Sequence, residues 1–65
     1  MKKYTPMLNL KIMRIRRGMT QIDLAKKIGK SSNTIYFYES GWSAPRTETL
    51  ERIAKALECD VKDII

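Results

Sequence analysis

Thr20–Gly41 reads TQIDLAKKIGKSSNTIYFYESG. Two stretches of apolar periodicity in it are parted by Gly29-Lys30-Ser31, and that break decides the fold. The Thr20 hydroxyl can reach the free N–H of Asp23, whose carboxylate suits the positive dipole end of a helix. Leu24, Ala25 and Ile28 then share one face, which predicts a helix from Gln21 to Ile28. Gly29 ends it, because a residue without a Cβ turns sharply into positive φ at no steric cost. Ser31 is a natural cap for the next helix, Ser32 to about Ser40, with Ile35 and Tyr38 inward and Gly41 as its stop. Ala25 is small enough to let the two helices cross closely.

The same punctuation continues on both sides. Gly18 closes a first helix running from Met7 or Leu8 to Arg17, with Leu10 and Met13 on its inner face and Met19 filling the corner after it. Gly41-Trp42-Ser43-Ala44-Pro45 is a loop signal. Thr47 is expected to cap a fourth helix reaching about Leu57, on which Leu50, Ile53, Ala54 and Leu57 form the clearest stripe. Asp60 is expected to cap a short fifth helix, Val61 to Ile65, whose Val61 and Ile64 close the core. The fold class is therefore all-α, five helices, with residues 1–7 as an N-terminal extension and 8–65 as one domain. No strand-like alternation, repeat or low-complexity tract competes. At 65 residues a domain hides only about 60% of the surface of its unfolded chain, so there is no room for a deep cleft between lobes.

Composition excludes several classes. No run approaches the roughly 18 apolar residues of a membrane span, and the basic start Met1-Lys2-Lys3 has no apolar segment behind it, unlike a secretory signal. Cys59 is the only cysteine, so no intrachain disulfide can form; a reducing cytosol fits, with Cys59 as a small filler. With no histidine and one cysteine, neither a zinc set nor a catalytic triad can be assembled. No glycine-rich phosphate loop or pocketed carboxylate pair appears. The expectation is no enzyme, no cofactor and no metal. The net charge of +6 is unevenly spread. Lys2, Lys3, Lys11, Arg14, Arg16, Arg17, Lys26, Lys27, Lys30 and Arg46 precede Thr47, opposed only by Asp23 and Glu39; the remainder is net acidic. Such asymmetry suggests a face for a polyanion, or else a basic surface that is merely solvated.

A helix, a glycine turn and a second capped helix make the helix-turn-helix plan. Several spaced motifs accompany it in order: Thr20-Gln21-x-x-Leu24-Ala25-x-x-Ile28-Gly29, Ser31-x-x-Thr34-Ile35-x-x-Tyr38-Glu39-x-Gly41, Pro45, and Thr49-Leu50-x-x-Ile53-Ala54-x-Ala56-Leu57. Together they resemble the Cro/C1-type (Xre-type) helix-turn-helix family of phage repressors and small bacterial regulators, over roughly Leu8 to Ile65. The resemblance implies a lambda-repressor-like domain that binds double-stranded DNA with its third helix in the major groove. By that resemblance Ser32, Asn33, Tyr36 and Phe37 are the base-contacting positions, and an amide at Asn33 can pair bidentately with adenine. Gln21 matches the family's glutamine that touches backbone phosphate and braces the third helix. Ser31, and Lys30 and Arg46 flanking that helix, are further phosphate contacts. Arg14 and Glu39 match a pair that clamps the first helix to the third. The family also implies a cytoplasmic, nucleoid-associated regulator, a repressor in the sense of the phage proteins, acting as a homodimer on a palindromic operator. Symmetry would set the two recognition helices about 34 Å apart, with Val61, Ile64 and Ile65 as the candidate dimer surface.

Three features depart from the family. Many relatives carry polar or basic side chains at the positions of Tyr36 and Phe37. Here a ring edge can meet a thymine methyl, or a ring can fold back onto the scaffold or meet a protein. Trp42, where relatives often have lysine, can donate its indole N–H to phosphate or pack in the loop beside Pro45. Leu8, Ile12 and Ile15 form a second apolar stripe, covered by Tyr4-Thr5-Pro6 or open to a protein partner. A helix-turn-helix antitoxin or protein-interaction module is the alternative function that this stripe leaves open.

Overall fold

Leu10, Leu24, Ile28, Ile35, Ile53, Leu57 and Ile64 lose essentially all contact with solvent, and the helices are arranged around them. The computed structural model describes residues 2–65. It comprises α1 (Leu8–Arg16), α2 (Gln21–Ile28), α3 (Ser32–Ser40), α4 (Thr47–Ala56) and a 3₁₀ turn over Val61–Asp63. Among the described residues there is no strand. Ala25 and Ala54 complete the core with side chains small enough for α2 to approach α3 and α4.

The expected fifth helix is thus a correction: four α-helices and one 3₁₀ turn, not five helices. Its bonds run from Asp63 N–H to Asp60 O (2.9 Å) and Ile64 N–H to Val61 O (3.1 Å). The tighter winding places Val61 and Ile64 one above the other, so both can turn toward the core. Asp60 stands at its start, its backbone N–H donating to Asp63 Oδ2 at 2.9 Å. The start of α4 also shifts by one residue. Arg46, extended after Pro45, supplies the carbonyl that takes the first helical bond, from Leu50 N–H at 2.9 Å, so Thr47 lies inside the helix and is not its cap.

All four α-helices stop in one manner. A residue at positive φ (Gly18, Gly29, Gly41, Glu58) follows each, and the next amide reaches back five residues. Those bonds are Met19 to Arg14 O, Lys30 to Ala25 O, Trp42 to Phe37 O and Cys59 to Ala54 O, all 2.9–3.0 Å. They satisfy carbonyls that a helix end leaves unpaired. Glu58 is the exception in residue type, a side chain held at φ 55° where the other ends use glycine.

At the other end of α2, Thr20 and Asp23 form a reciprocal capping box at 3.0 and 2.9 Å. The Thr20 backbone N–H and hydroxyl hold the Asp23 carboxyl below its ordinary value. Because the folded value is the lower one, this contribution is present at neutral pH and fades as pH falls through the carboxylate range.

Two substitutions with opposite outcomes follow from the helix ends. Glu58→Gly relieves the left-handed strain and, net of the added unfolded-state entropy, should gain roughly 0.5–1 kcal/mol. The melting midpoint followed by circular dichroism should rise by ~2–8 °C. Gly41→Ala should lower it, because a Cβ there would lie 2.6 Å from Tyr4 O and 3.1 Å from Pro6 N, both backbone atoms.

Candidate nucleic-acid interface

The position of α3 is set by one buried polar cluster. Arg14 on α1 donates from Nε to Glu39 Oε2 at 2.7 Å and from Nη2 to Oε1 at 3.1 Å. Its Nη1 donates to Met19 O at 2.8 Å, in the corner between α1 and α2. Gln21, at the first position of α2, donates Nε2 to Glu39 Oε1 at 3.1 Å. Three helices therefore meet on one carboxylate. The Arg14 and Glu39 side chains are 9% and 5% exposed, so neither charge has water to fall back on. Among the described residues no buried side-chain nitrogen or oxygen lacks a partner, which is the condition under which such a cluster is tolerable.

With Ile35, Tyr38 and Glu39 turned inward, the opposite face of α3 carries Asn33, Tyr36 and Phe37, all exposed, with Ser32 half-buried beside them. The two rings lean on each other, centroids 5.8 Å apart and tilted by 56°. Both remain more than two-fifths exposed, so neither folds back into the scaffold. Ser31 stands at the cap position, but its hydroxyl pairs with Thr34 Oγ1 at 3.1 Å and not with a backbone N–H. The amides opening α3 therefore have no side-chain cap, an arrangement suited to an anion. Lys30, before this helix in sequence, and Trp42 and Arg46, after it, are exposed. Gln21 is half-buried and spends its amide on Glu39; the bracing of α3 is what its geometry provides.

The Tyr4-Thr5-Pro6 segment does not lie over the second apolar stripe. Tyr4 N–H bonds Gly41 O and Met7 N–H bonds Tyr38 O, which draws the segment along the end of α3. Only Leu8 borders the groove it makes with Pro45, Leu50 and Ile65. Leu8, Ile12 and Ile15 stay 61%, 48% and 57% exposed, so the covering account fails for this stripe. A second correction concerns the candidate dimer surface. Ile64 is fully buried and has no area to offer a partner; Val61 is half-buried and Ile65 is exposed.

Two arginines have contacts that no sequence pattern announced. Arg17 donates to Leu57 O at 2.7 Å and Glu58 O at 3.3 Å, serving the end of α4. Arg52 donates to Ile28 O at 2.7 Å, serving the end of α2. The only signal available was favourable charge at a helix C-terminus, and here the cation comes from a different helix each time. Burial, then Asp63, pushes the Cys59 thiol up, consistent with a filler. Among the described residues no group of three or more metal-ligating side chains is placed to hold an ion.

The cluster makes a clear stability prediction. Arg14→Met strands the buried Glu39 carboxylate and should cost about 3–5 kcal/mol in urea unfolding. Changing Glu39→Leu as well should recover much of that loss. An unaltered unfolding midpoint in the single variant would show that the cluster does not hold α3.

Comparison with known proteins agrees with this geometry. A helix-turn-helix family model matches residues 10–64. The transcriptional repressor RstR of the cryptic phage CTXphi, from Vibrio cholerae, is 32% identical over 53 residues, which cover 82% of this chain and 48% of RstR. This chain thus spans about half the length of that relative. An uncharacterised HTH-type transcriptional regulator of Archaeoglobus fulgidus is 37% identical over 51 residues, 78% of this chain and 73% of that protein. The P22 c2 repressor in complex with a synthetic operator superposes with a TM-score of 0.84 at 26% identity, covering 94% of both chains. With four short helices around one core, an Arg14–Glu39 clamp and an outward α3, the chain belongs to the Cro/C1-type helix-turn-helix family.

Proposed function

We propose that the chain is a transcription regulator, a repressor, that binds double-stranded DNA sequence-specifically with α3 in the major groove. It acts in the cytoplasm on the nucleoid, as a homodimer on a palindromic operator. The observation that carries this reading is the outer face of α3: Asn33, Tyr36 and Phe37 are exposed on a helix whose inner face is locked by Glu39. Ser32, Asn33, Tyr36 and Phe37 touch bases; Gln21, Lys30, Ser31, Trp42 and Arg46 lie along the phosphates. The basic excess before Thr47 supports it, since charge of one sign raises the local concentration of a polyanion and speeds encounter. Val61 and Ile65 are the residues left to supply apolar area to a second copy. No cofactor or metal enters the mechanism.

The exposed Leu8–Ile12–Ile15 stripe supports a second reading, a helix-turn-helix antitoxin or protein-interaction module. On that reading a protein co-purifies and DNA binding never exceeds a random-sequence background.

Selection from random-sequence duplexes, followed by titration across salt, separates the two. On the selected site Asn33→Ala should cost about 1–3 kcal/mol, with little effect on random duplex. Lys30→Ala and Arg46→Ala should instead weaken both equally and flatten the log–log salt dependence by about 1 each. Failure of the selection to enrich any site would overturn the regulator reading.

A further inference from the structure

We propose that this chain reads A·T base pairs, with the exposed rings of Tyr36 and Phe37 covering the 5-methyl groups of thymine. The proposal rests on the reading of α3 as the helix that enters the major groove, and names what that helix recognises there. From Ser31 to Gly41 there is no arginine or lysine. Glu39, the only charged residue in that span, is locked by Arg14 and Gln21. Guanine is most often read by an arginine or lysine fork on its O6 and N7, and α3 has no such group. The nearest cation in sequence, Lys30, precedes the helix in the turn, and Arg14 is spent on Glu39.

What α3 does present outward is one amide and two rings, with the half-buried Ser32 hydroxyl, which suits any base pair, beside them. An asparagine amide matches the N6 donor and N7 acceptor of adenine. Tyr36 and Phe37 follow Asn33 by three and four residues, so they lie one turn further along the same face. The rings are 49% and 43% exposed and lean on one another at 5.8 Å, a continuous apolar edge that the chain's own core does not cover. The thymine methyl is the apolar group that a base pair offers in the major groove. Covering it removes apolar surface of both partners from water, the term that apolar association depends on. Adenine pairs with thymine, so the amide and the rings select the same base pairs from opposite strands.

The test uses the full chain and the site it selects from random-sequence duplex. Each thymine of that site is replaced in turn by deoxyuridine, which removes only the 5-methyl, and affinity is read by fluorescence anisotropy at constant salt. The selected half-site should be A·T-rich where α3 docks, and affinity should fall about fourfold at one or more thymines, as burial of one methyl-sized group implies. Phe37→Ala or Tyr36→Ala should bind the thymine and deoxyuridine sites alike, and an unaltered circular-dichroism spectrum and melting midpoint report that each variant is folded. A specific site whose affinity ignores every methyl, or a site read at G·C pairs, would overturn the proposal while leaving DNA recognition standing. Discrimination undiminished in both variants would also overturn it. Enrichment of no site would overturn it together with the regulator reading.

Discussion

The carboxylate of Glu39 is the point on which the rest of the structure depends. It lies on the helix that would face DNA, receives Arg14 from α1 and Gln21 from α2, and is almost wholly out of water. A charge so placed is tolerated only if its partners are in position, so the cluster is sensitive to geometry in a way that apolar contacts are not. Leucine against isoleucine admits small slips. A bidentate arginine does not, because its two donors and two acceptors fix direction as well as distance. The orientation of α3 is therefore tied to the same bonds that hold α1 and α2 together.

A domain of this size has little core to spare, and the polar bookkeeping of its helix ends is correspondingly complete. Each α-helix closes through a positive-φ residue whose successor bonds back to the last turn. Arg52 from α4 serves the end of α2, and Arg17, just after α1, serves the end of α4. These contacts place cations at the negative ends of helix dipoles and cross-link elements distant in sequence. Both arginines remain exposed, so their charge still contributes to the surface field. Lys30 and Arg46, which precede and follow α3 in sequence, are exposed as well.

Around α3 the tasks divide by chemistry. The charged side chains Lys30 and Arg46 come before and after the helix in sequence. The outer face of the helix is uncharged, an amide and two rings with the half-buried Ser32 beside them. The pinning of Tyr4 to Gly41 and of Met7 to Tyr38 stiffens the far end of the same helix. Gly41 permits this because a side chain there would strike the backbone of the N-terminal segment. The Leu8–Ile12–Ile15 stripe, on α1, stays exposed.

Local chemistry made much of this visible in the linear chain. Thr20 with Asp23, Gly29, Ser31 and Gly41 bound α2 and α3 within a residue, because capping and left-handed ends involve atoms close in sequence. Leu24, Ile28, Ile35, Ile53 and Leu57 declared the core by spacing alone. Arg14 with Glu39 was visible only through family resemblance, since nothing in the spacing of residues 25 apart tells that they touch. Three matters belonged to the tertiary structure. The segment after Asp60 became a 3₁₀ turn that buries Ile64, because the core needed that side chain. Arg17 and Arg52 found carbonyls on other helices. Tyr36 and Phe37 stayed outside, since Ile35 and Tyr38 had already filled the inner face. Periodicity and capping are short-range and can be read from neighbours along the chain; the destination of a long side chain is decided by whichever surface the packed helices bring within its reach.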